Sequence, residues 1–439
     1  MAHPWFDDAI FYHMYTFSLA QAPFLNDYAA VAPRLGEIEK WIPHIKSLGC
    51  NAVLLSPALK SRSHGYDVTD YYSVDNRVGT NAHFRSLVGR FHENGIRVVL
   101  DSVFHHCGRD FFAFQELRRG NRHYADWFSG VDFSRQSPLG DPFSYDTWSG
   151  YYELVKFNLK NDAVSGYLLD AARFWIDTFD IDGMRLDSAN VLDFDFMRKL
   201  RGATVERKAD FWLMGEVVNG DYAKWAAPGV LHSVTNYILY KSLFSSFNHQ
   251  NLYELAHCLQ QSVPGYGLPL YNFLDNHDQP RIASNVSSPM YLNALYALLY
   301  TLPGIPSIYY GSEWGIGGVK ENNSDQPLRP YIDIHEPPAA GDKNLAEYIS
   351  RLASVRQGQK ALKYGGYRQV FIAYQRPFVF ERFDDTERIF VAVNSADKDE
   401  VVDISGWGAA GYTDLLSGDQ VFANLMPMAP CSARILKAN

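Results

Sequence analysis

Cysteine is scarce and scattered. The four, Cys50, Cys107, Cys258 and Cys431, form no CxxC pair, which argues against a disulfide framework and favours a reducing compartment. A cationic surplus is missing as well. Forty Lys and Arg stand against 49 Asp and Glu, a formal charge of −9, so neither nucleic acid nor an anionic membrane is expected as a partner. No apolar run suits a bilayer. The nearest, residues 290–310, contains Asn293, Pro303, Gly304 and Pro306 and reads as a buried helix followed by a strand. The first eight residues lack a basic region leading into an apolar stretch. A secretory leader is therefore not expected, and the cytoplasm is the expected location. Internal repeats and low-complexity tracts are not evident.

What the chain does have is length and alternation. At 439 residues it exceeds one ordinary domain and fits a large α/β barrel with one or two smaller pieces. Candidate strands are residues 9–15, 52–56, 97–103, 183–187, 212–217, 232–236, 270–274 and 307–310. Helical periodicity falls between them, as in 38–48, 84–92, 164–178 and 290–302. This β/α alternation predicts an α/β protein with a closed (β/α)8 TIM barrel, and a doubly wound open sheet is the structural alternative. Residues 108–162 interrupt the rhythm after the third strand with a run rich in Phe, Tyr, Trp, Gly, Asp and Ser, which predicts a small excursion domain. Past a last helix at 344–362 the pattern changes to short alternating strands at 370–374, 378–383, 389–394, 401–404 and 433–437. The expected organisation is a barrel of residues 1–107 and 163–363, an excursion of 108–162, and a carboxy-terminal antiparallel β-sandwich of 364–439.

Polar clusters sit at the ends of the predicted strands: Gly65-Tyr66-Asp67, Asp101 to His106, Gly183 to Asp187, Gly215-Glu216-Val217 and Asp275-Asn276-His277-Asp278. The carboxyl ends of strands in such folds converge on one mouth, where their active sites lie. Arg185 and Asp187, two apart on a strand, face one side, with Leu186 turned away. A guanidinium beside Asp187 favours its ionised form, as a nucleophile requires. An isolated Arg-x-Asp would more often be a structural ion pair. Glu216 follows the apolar run Phe211 to Met214, and a carboxyl in apolar surroundings keeps its proton and can donate it. Taken alone, a Glu after a strand is usually a solvated loop residue, and His277-Asp278 a hydrogen-bonded pair. His105 and His106, adjacent on a strand, should diverge, so at most one faces the mouth. Without a carboxylate at ligand spacing no zinc site is expected. An Arg, two His and three acids gathered on one barrel edge nonetheless suit a retaining glycoside hydrolase.

In this order the five fragments resemble the conserved regions of the α-amylase family, glycoside hydrolase family 13, over nearly the whole chain. The resemblance implies Asp187 as nucleophile, Glu216 as general acid/base and Asp278 as the carboxylate that stabilises the transition state. It implies that His106 and His277 hydrogen-bond the sugar at the cleaved position, Tyr66 stacks on it, Asp67 helps fix it and Arg185 orients the nucleophile. Arg329, within Asp325 to Pro330, matches a substrate-binding Arg after the eighth strand, and Pro303 to Gly311 matches the lead-in to that strand.

Within the family, Leu154-Val155-Lys156-Phe157-Asn158 is similar to a Met-Pro-Lys-Leu-Asn segment of cyclomaltodextrinases, neopullulanases and maltogenic amylases. Val103 to Gly108 resembles their Val-Phe-Asn-His-Cys-Gly. Those enzymes are often intracellular and prefer cyclodextrins and short maltooligosaccharides, the substrates this resemblance implies as partners. The chain departs from them in three ways. The first strand falls near residue 9, without room for their amino-terminal β-domain. Val218-Asn219 follows Glu216 where they have Trp-His. His105 stands where classical α-amylases place a calcium-binding Asn. No cofactor or metal is therefore expected, calcium included, and the oligomeric state is left open. Trp148, Tyr151, Tyr152, Phe157 and Trp314 are candidate sugar platforms, though packing is the commoner role of any one aromatic. Hydrolysis of α-1,4 bonds in short or cyclic maltooligosaccharides is the first expectation. An exo-acting α-glucosidase or a transglycosylase on the same residues is the second, since Asn276 to Arg281 also resembles oligosaccharide α-glucosidases. A non-catalytic sugar-binding relative is the third, disfavoured because all three acids are present.

Overall fold

In the computed structural model, residues 3–266, 269–322, 324–338, 343–422 and 424–439 are described. The chain divides into two compact units. One comprises Met1–His13, Pro43–Asn51 and Thr235–Asn439, the other Met14–Ile42 and Ala52–Val234.

Eight strands build the main sheet: β1 (Phe11–Met14), β2 (Ala52–Leu55), β3 (Arg97–Ser102), β4 (Gly183–Leu186), β5 (Trp212–Gly215), β6 (Ser233–Val234), β7 (Tyr271–Phe273) and β8 (Ile305–Tyr309). Their order is β6-β5-β4-β3-β2-β1-β8-β7, and β4 with β5 and β7 with β8 pair in parallel. A further parallel bridge joins Thr235, just past β6, to Tyr271 at the start of β7. The fold class is the expected (β/α)8 barrel. Every residue of β1, β2, β4, β5 and β8 is buried, the pattern of parallel strands covered on both faces.

Local chemistry sets the helix limits. Asn161 accepts from the backbone N–H of Ala163 and Val164 and caps the helix Asp162–Phe179, which buries Val164, Leu168, Ala172, Trp175 and Phe179 at helical spacing. Asp193 and Asn236 cap Phe194–Val205 and Tyr237–Asn248 in the same way. The helix expected over 38–48 is two, Leu35–Glu39 and Ile42–Ser47, because Pro43 has no N–H for a continuous helix and is tolerated in a first turn. The helix expected over 344–362 is likewise divided, into Lys343–Gly358 and Lys360–Tyr364, at Gln359 with φ −120° and ψ 117°. The strand expected over 232–236 shortens to two residues because Asn236 turns to cap the next helix.

Within residues 108–162 the irregular run contains the helix Phe112–Arg118 and two strands, Thr147–Trp148 and Tyr151–Lys156, which join His106–Gly108 in a three-stranded sheet. The carboxy-terminal strands are antiparallel, as expected. Gly366–Phe371, Phe378–Phe383, Arg388–Val393, Ala433–Ala438, Tyr412–Asp414 and Gln420–Val421 form one sheet, and Glu400–Asp403 pairs with Leu425–Met428 in a second. Val379, Phe390 and Leu436 from one and Val402, Met426 and Met428 from the other share a core. The strand expected at 370–374 lies earlier, at Gly366–Phe371. Among the described residues, no helix is long and apolar enough to cross a membrane.

Candidate active site

Asp187 and Glu216 are the residues immediately after β4 and β5. The ladder runs one step past each strand: Asp187 N–H donates to Ser102 O at 2.9 Å, and Glu216 N–H to Leu186 O at 2.9 Å. Both acids are thus fixed by backbone before any side chain contributes. Gly183 makes the close approach of β4 and β5 feasible, since a Cβ there would lie 2.7 Å from Trp212 O.

Arg185 sits opposite Asp101 of β3 and Met214 of β5 in the parallel register. Its Nη1 lies 2.8 Å from Asp101 Oδ1 and 3.0 Å from Asp187 Oδ1, and its Nη2 lies 3.0 Å from Glu216 Oε1. Burial pulls the guanidinium pKa down, but Asp101 and Glu216 outweigh it and hold it well above its ordinary value. Arg185 and Asp187 do face the same side, as the strand period requires. The surroundings expected for Glu216 need correcting. It meets a guanidinium and the Ser188 N–H, which donates to Oε2 at 2.9 Å, rather than an apolar wall.

Ser188 is the residue that sequence reasoning missed. Its backbone is left-handed, φ 50°, uncommon outside glycine and often a mark of a functional site. In that conformation its N–H reaches Glu216 while its Oγ donates to Asp187 Oδ2 at 3.0 Å. The indole N–H of Trp148 donates to the same Oγ at 2.9 Å. Nothing in the residue types announces this. Asp101 could have been found, as a carboxylate within the apolar strand Arg97–Ser102, but was given no role; its Oδ2 accepts the Tyr66 hydroxyl at 3.0 Å.

The His pair behaves differently from expectation. His105 and His106 do not diverge, because β3 ends at Ser102 and His106 opens a second short strand. Their Nδ1 atoms lie 3.3 Å apart, and both residues are buried. Burial lowers the pKa of each to about 4; the neighbouring His106 lowers that of His105 further, while Asp187 opposes the shift at His106. His106 is therefore neutral near pH 7 and can both donate and accept. Its ring also lies 6.1 Å from that of Trp148. Asp67 is buried and accepts from Ser63 N–H at 3.2 Å and Ser63 Oγ at 2.7 Å. Tyr66, Arg185, Asp187 and Glu216 thus share one hydrogen-bonded network, whereas Asp67 belongs to a local ring beside it.

A second cluster lies in the other unit. Asp278 Oδ1 accepts from Arg329 Nη2 at 2.7 Å, and its Oδ2 lies 2.9 Å from His277 Nε2. Arg329 also donates Nε–H to His277 O at 2.9 Å and approaches Asp325 Oδ2 at 3.1 Å. Sequence reasoning named His277 and Asp278 from one stretch and Arg329 from another, and the structure brings them together. Beneath them, Asp275 is buried, which raises its pKa, and it accepts from Ile282 N–H and Ser312 Oγ.

The aromatic candidates separate by exposure. Phe157 and Trp314 are buried, stacked on Phe128 and His44. Trp148 and Tyr152 are half-buried, and Tyr151 is exposed. Among the described residues, no group of three or more His, Cys, Asp or Glu side chains is placed to hold a metal ion.

Residues 34–334 match the family described as the α-amylase catalytic domain. A cyclomaltodextrinase of Thermoanaerobacter pseudethanolicus is 32% identical over 419 residues, covering 92% of this chain and 70% of that enzyme. An intracellular maltogenic amylase of Bacillus subtilis is 31% identical over 355 residues, covering 79% of this chain and 58% of that enzyme. Among solved structures, the cyclic α-maltosyl-(1→6)-maltose hydrolase of Arthrobacter globiformis, in complex with that cyclic sugar, superposes with a TM-score of 0.86. It is 26% identical, and each chain is covered in full.

Proposed function

Because the chain belongs to the α-amylase family of glycoside hydrolases, we propose that it cleaves α-1,4-glucosidic bonds of cyclodextrins and short maltooligosaccharides by a retaining double displacement. The observation that carries the mechanism is the sharing of one guanidinium by Asp187 and Glu216, each also bonded to Ser188. Two carboxyls tied to the two ends of one Arg stand close together. That suits the short separation of retaining enzymes, ~5 Å, better than the wider gap that must admit a water in inverting ones.

In this reading Glu216 protonates the glycosidic oxygen as Asp187 attacks the anomeric carbon, and the leaving chain departs. Glu216, now a carboxylate, then takes a proton from water as that water attacks the glycosyl–Asp187 bond and frees Asp187. Arg185, bonded through Nη1 to Asp187 Oδ1, keeps Asp187 aimed at the anomeric carbon. Asp278 takes the role of transition-state stabiliser, with His277 and Arg329 fixing its carboxylate. Tyr66, Asp67, neutral His106 and His277 contact the sugar at the cleaved position. Calcium has no part in these steps.

The substrate class is supported by the cyclomaltodextrinase and maltogenic amylase likenesses, and a cytoplasmic location by the intracellular enzyme among them. The barrel, the 108–162 excursion and the carboxy-terminal sandwich would act as three domains. The deciding experiment is chromatography of products from maltotriose, pullulan, soluble starch, β-cyclodextrin and cyclic α-maltosyl-(1→6)-maltose. Higher catalytic efficiency on cyclodextrin and maltotriose than on starch is expected. Starch equal or better would overturn the substrate preference, and release of glucose alone with cyclodextrin untouched would replace it with exo-acting α-glucosidase activity.

A further inference from the structure

Asn-Gly occurs twice in the chain, at Asn94-Gly95 and Asn219-Gly220. Such a pair is chemically prone to modify itself. Glycine has wide backbone freedom and no side chain to shield its N–H, so that nitrogen can reach the preceding carboxamide. Gly95 and Gly220 are both exposed, yet the fold treats the two pairs oppositely.

Asn94 ends the helix Asn81–Glu93, and Gly95 follows with φ 74°, the left-handed glycine common past a helix end. Gly95 N–H donates to His92 O at 2.9 Å, and Asn94 Nδ2 donates to Arg90 O at 2.9 Å. Both reacting groups are occupied there. Asn219 and Gly220 lack these restraints. Among the described residues, no hydrogen bond engages the Asn219 carboxamide or the Gly220 N–H.

The segment around Asn219 is anchored on either side. Val217 is buried, and Asp221 accepts the Ala223 N–H at 3.2 Å to cap the 3-10 helix Tyr222–Lys224. Val218, Asn219 and Gly220 between them are exposed. Gly220 is itself required by the loop. Its φ is 112°, and a Cβ there would lie 3.3 Å from the Trp225 ring, whose indole N–H is tied to Ala189 O at 3.1 Å. A bulkier residue that would shield the nitrogen is thus disfavoured.

We infer that Asn219-Gly220 is a site of spontaneous modification, where Asn219 becomes aspartate or isoaspartate while Asn94 is preserved. The Gly220 nitrogen bonds to Asn219 Cγ and gives up its proton. The Cγ–Nδ2 bond breaks, ammonia leaves with that proton, and a succinimide remains. Water then opens the ring. Attack at Cγ restores the main chain with an aspartate side chain. Attack at the Asn219 carbonyl carbon routes the main chain through Cβ and Cγ. Either product exchanges a neutral carboxamide for a carboxylate, ionised near pH 7. Three residues separate Asn219 from Glu216, at most about 11 Å at full extension, so the new charge arises close to the proposed acid. The chemistry needs only water and holds whether or not the α-glucan reading does.

The test keeps the purified protein in mildly alkaline buffer for several weeks. Its peptides are followed by mass spectrometry and by isoaspartyl methyltransferase labelling. The Asn219 peptide should gain the mass of NH exchanged for O and divide into aspartyl and isoaspartyl forms. Asn94 should react at least about tenfold more slowly, since two hydrogen bonds must first open. In urea, which removes those bonds, the two should react at similar rates. Asn219→Gln should abolish the conversion at that position and leave Asn94 as in wild type. An Asn219 peptide that persists unchanged, or Asn94 converting as fast in the folded protein, would overturn the inference. So would a rate difference that survives in urea, because flanking residues rather than the fold would then set it.

Discussion

Ser188 donates its backbone N–H to Glu216 Oε2 at 2.9 Å from a left-handed backbone, φ 50°. That conformation costs on the order of 1 kcal/mol for a residue with a side chain. It persists because it lets one residue hold both acids, Glu216 through its N–H and Asp187 through its Oγ. Arg185 holds the same two carboxyls from the other direction. The pair is therefore positioned before any substrate arrives, which is the condition for electrostatic and positional catalysis to act without reorganisation.

Asp187→Asn and Glu216→Gln should each lower turnover by several orders of magnitude, because each removes one of the two groups that double displacement requires. Both should stay folded, since Arg185 keeps two of its three carboxylate partners in either variant. Arg185→Ala is expected to behave oppositely in stability. It leaves buried Asp101 without its cation, a loss of roughly 3–5 kcal/mol for a broken buried pair. Turnover measured beside thermal unfolding separates the two behaviours, and near-wild-type activity of Asp187→Asn or Glu216→Gln refutes the assignment.

The configuration of the first product is a separate check. Proton NMR of a fresh digest should show the α-anomer before mutarotation, since two displacements at the anomeric carbon restore its starting configuration. An initial β-anomer excludes the covalent intermediate on Asp187.

Much of this site was legible because strands announce their ends. Apolar runs such as Phe211 to Met214 stop at a carboxylate, and in a parallel β/α chain those stops share one edge. Arg185 and Asp187 were correctly set on one face by the strand period alone. What the residue types could not reveal was backbone conformation and neighbours distant in sequence. Ser188 is an ordinary residue in a decisive φ, and Glu216 owes its surroundings to Arg185, 31 positions earlier in the sequence, rather than to the apolar run before it. The His pair was misjudged because strand alternation was extended past Ser102, where β3 ends. Pro43 similarly marked the division of one helix into two, a signal present in the sequence and passed over.

Acid should destabilise the protein over a defined window. Burial holds His105 and His106 at a pKa of about 4, and His232 at about 3 with Arg201 adding to burial, against an ordinary 6.5. Folded pKa values below the unfolded one mean that the unfolded chain takes up protons first. The contribution is fully present above about pH 6.5 and is lost as pH falls toward 4, by up to roughly 3 kcal/mol for a fully buried histidine. Thermal unfolding should show Tm dropping through that window. His105→Asn should flatten the slope, and an unaltered slope in that variant would remove His105 from the account.

Activity should not depend on calcium, and the argument is one of ligands. A hard divalent cation needs about six or more oxygens around it. His105, at the position where the resembling classical α-amylases carry a calcium-binding Asn, offers nitrogen, and its Nδ1 faces His106 at 3.3 Å. A dense oxygen shell in the same unit is filled by a side chain. Arg77 donates to the carbonyls of Pro23, Phe24 and Ser63 at 3.0, 2.6 and 2.8 Å, to Ser61 Oγ at 2.8 Å and to both oxygens of Asp75 at 2.9 and 2.8 Å. A guanidinium there neutralises Asp75 and orders the Pro23–Phe24 backbone, the two things a bound cation would do. Prolonged dialysis against a chelator should therefore leave both turnover and Tm within error of untreated protein. Arg77→Ala, by contrast, should lower Tm, because it strips the carbonyls and the buried Asp75 carboxylate of the guanidinium bonded to them. A large loss of activity on chelation, restored by added calcium and not by magnesium, would show that oxygen ligands outside the His105 and Arg77 sites hold an ion the reaction needs.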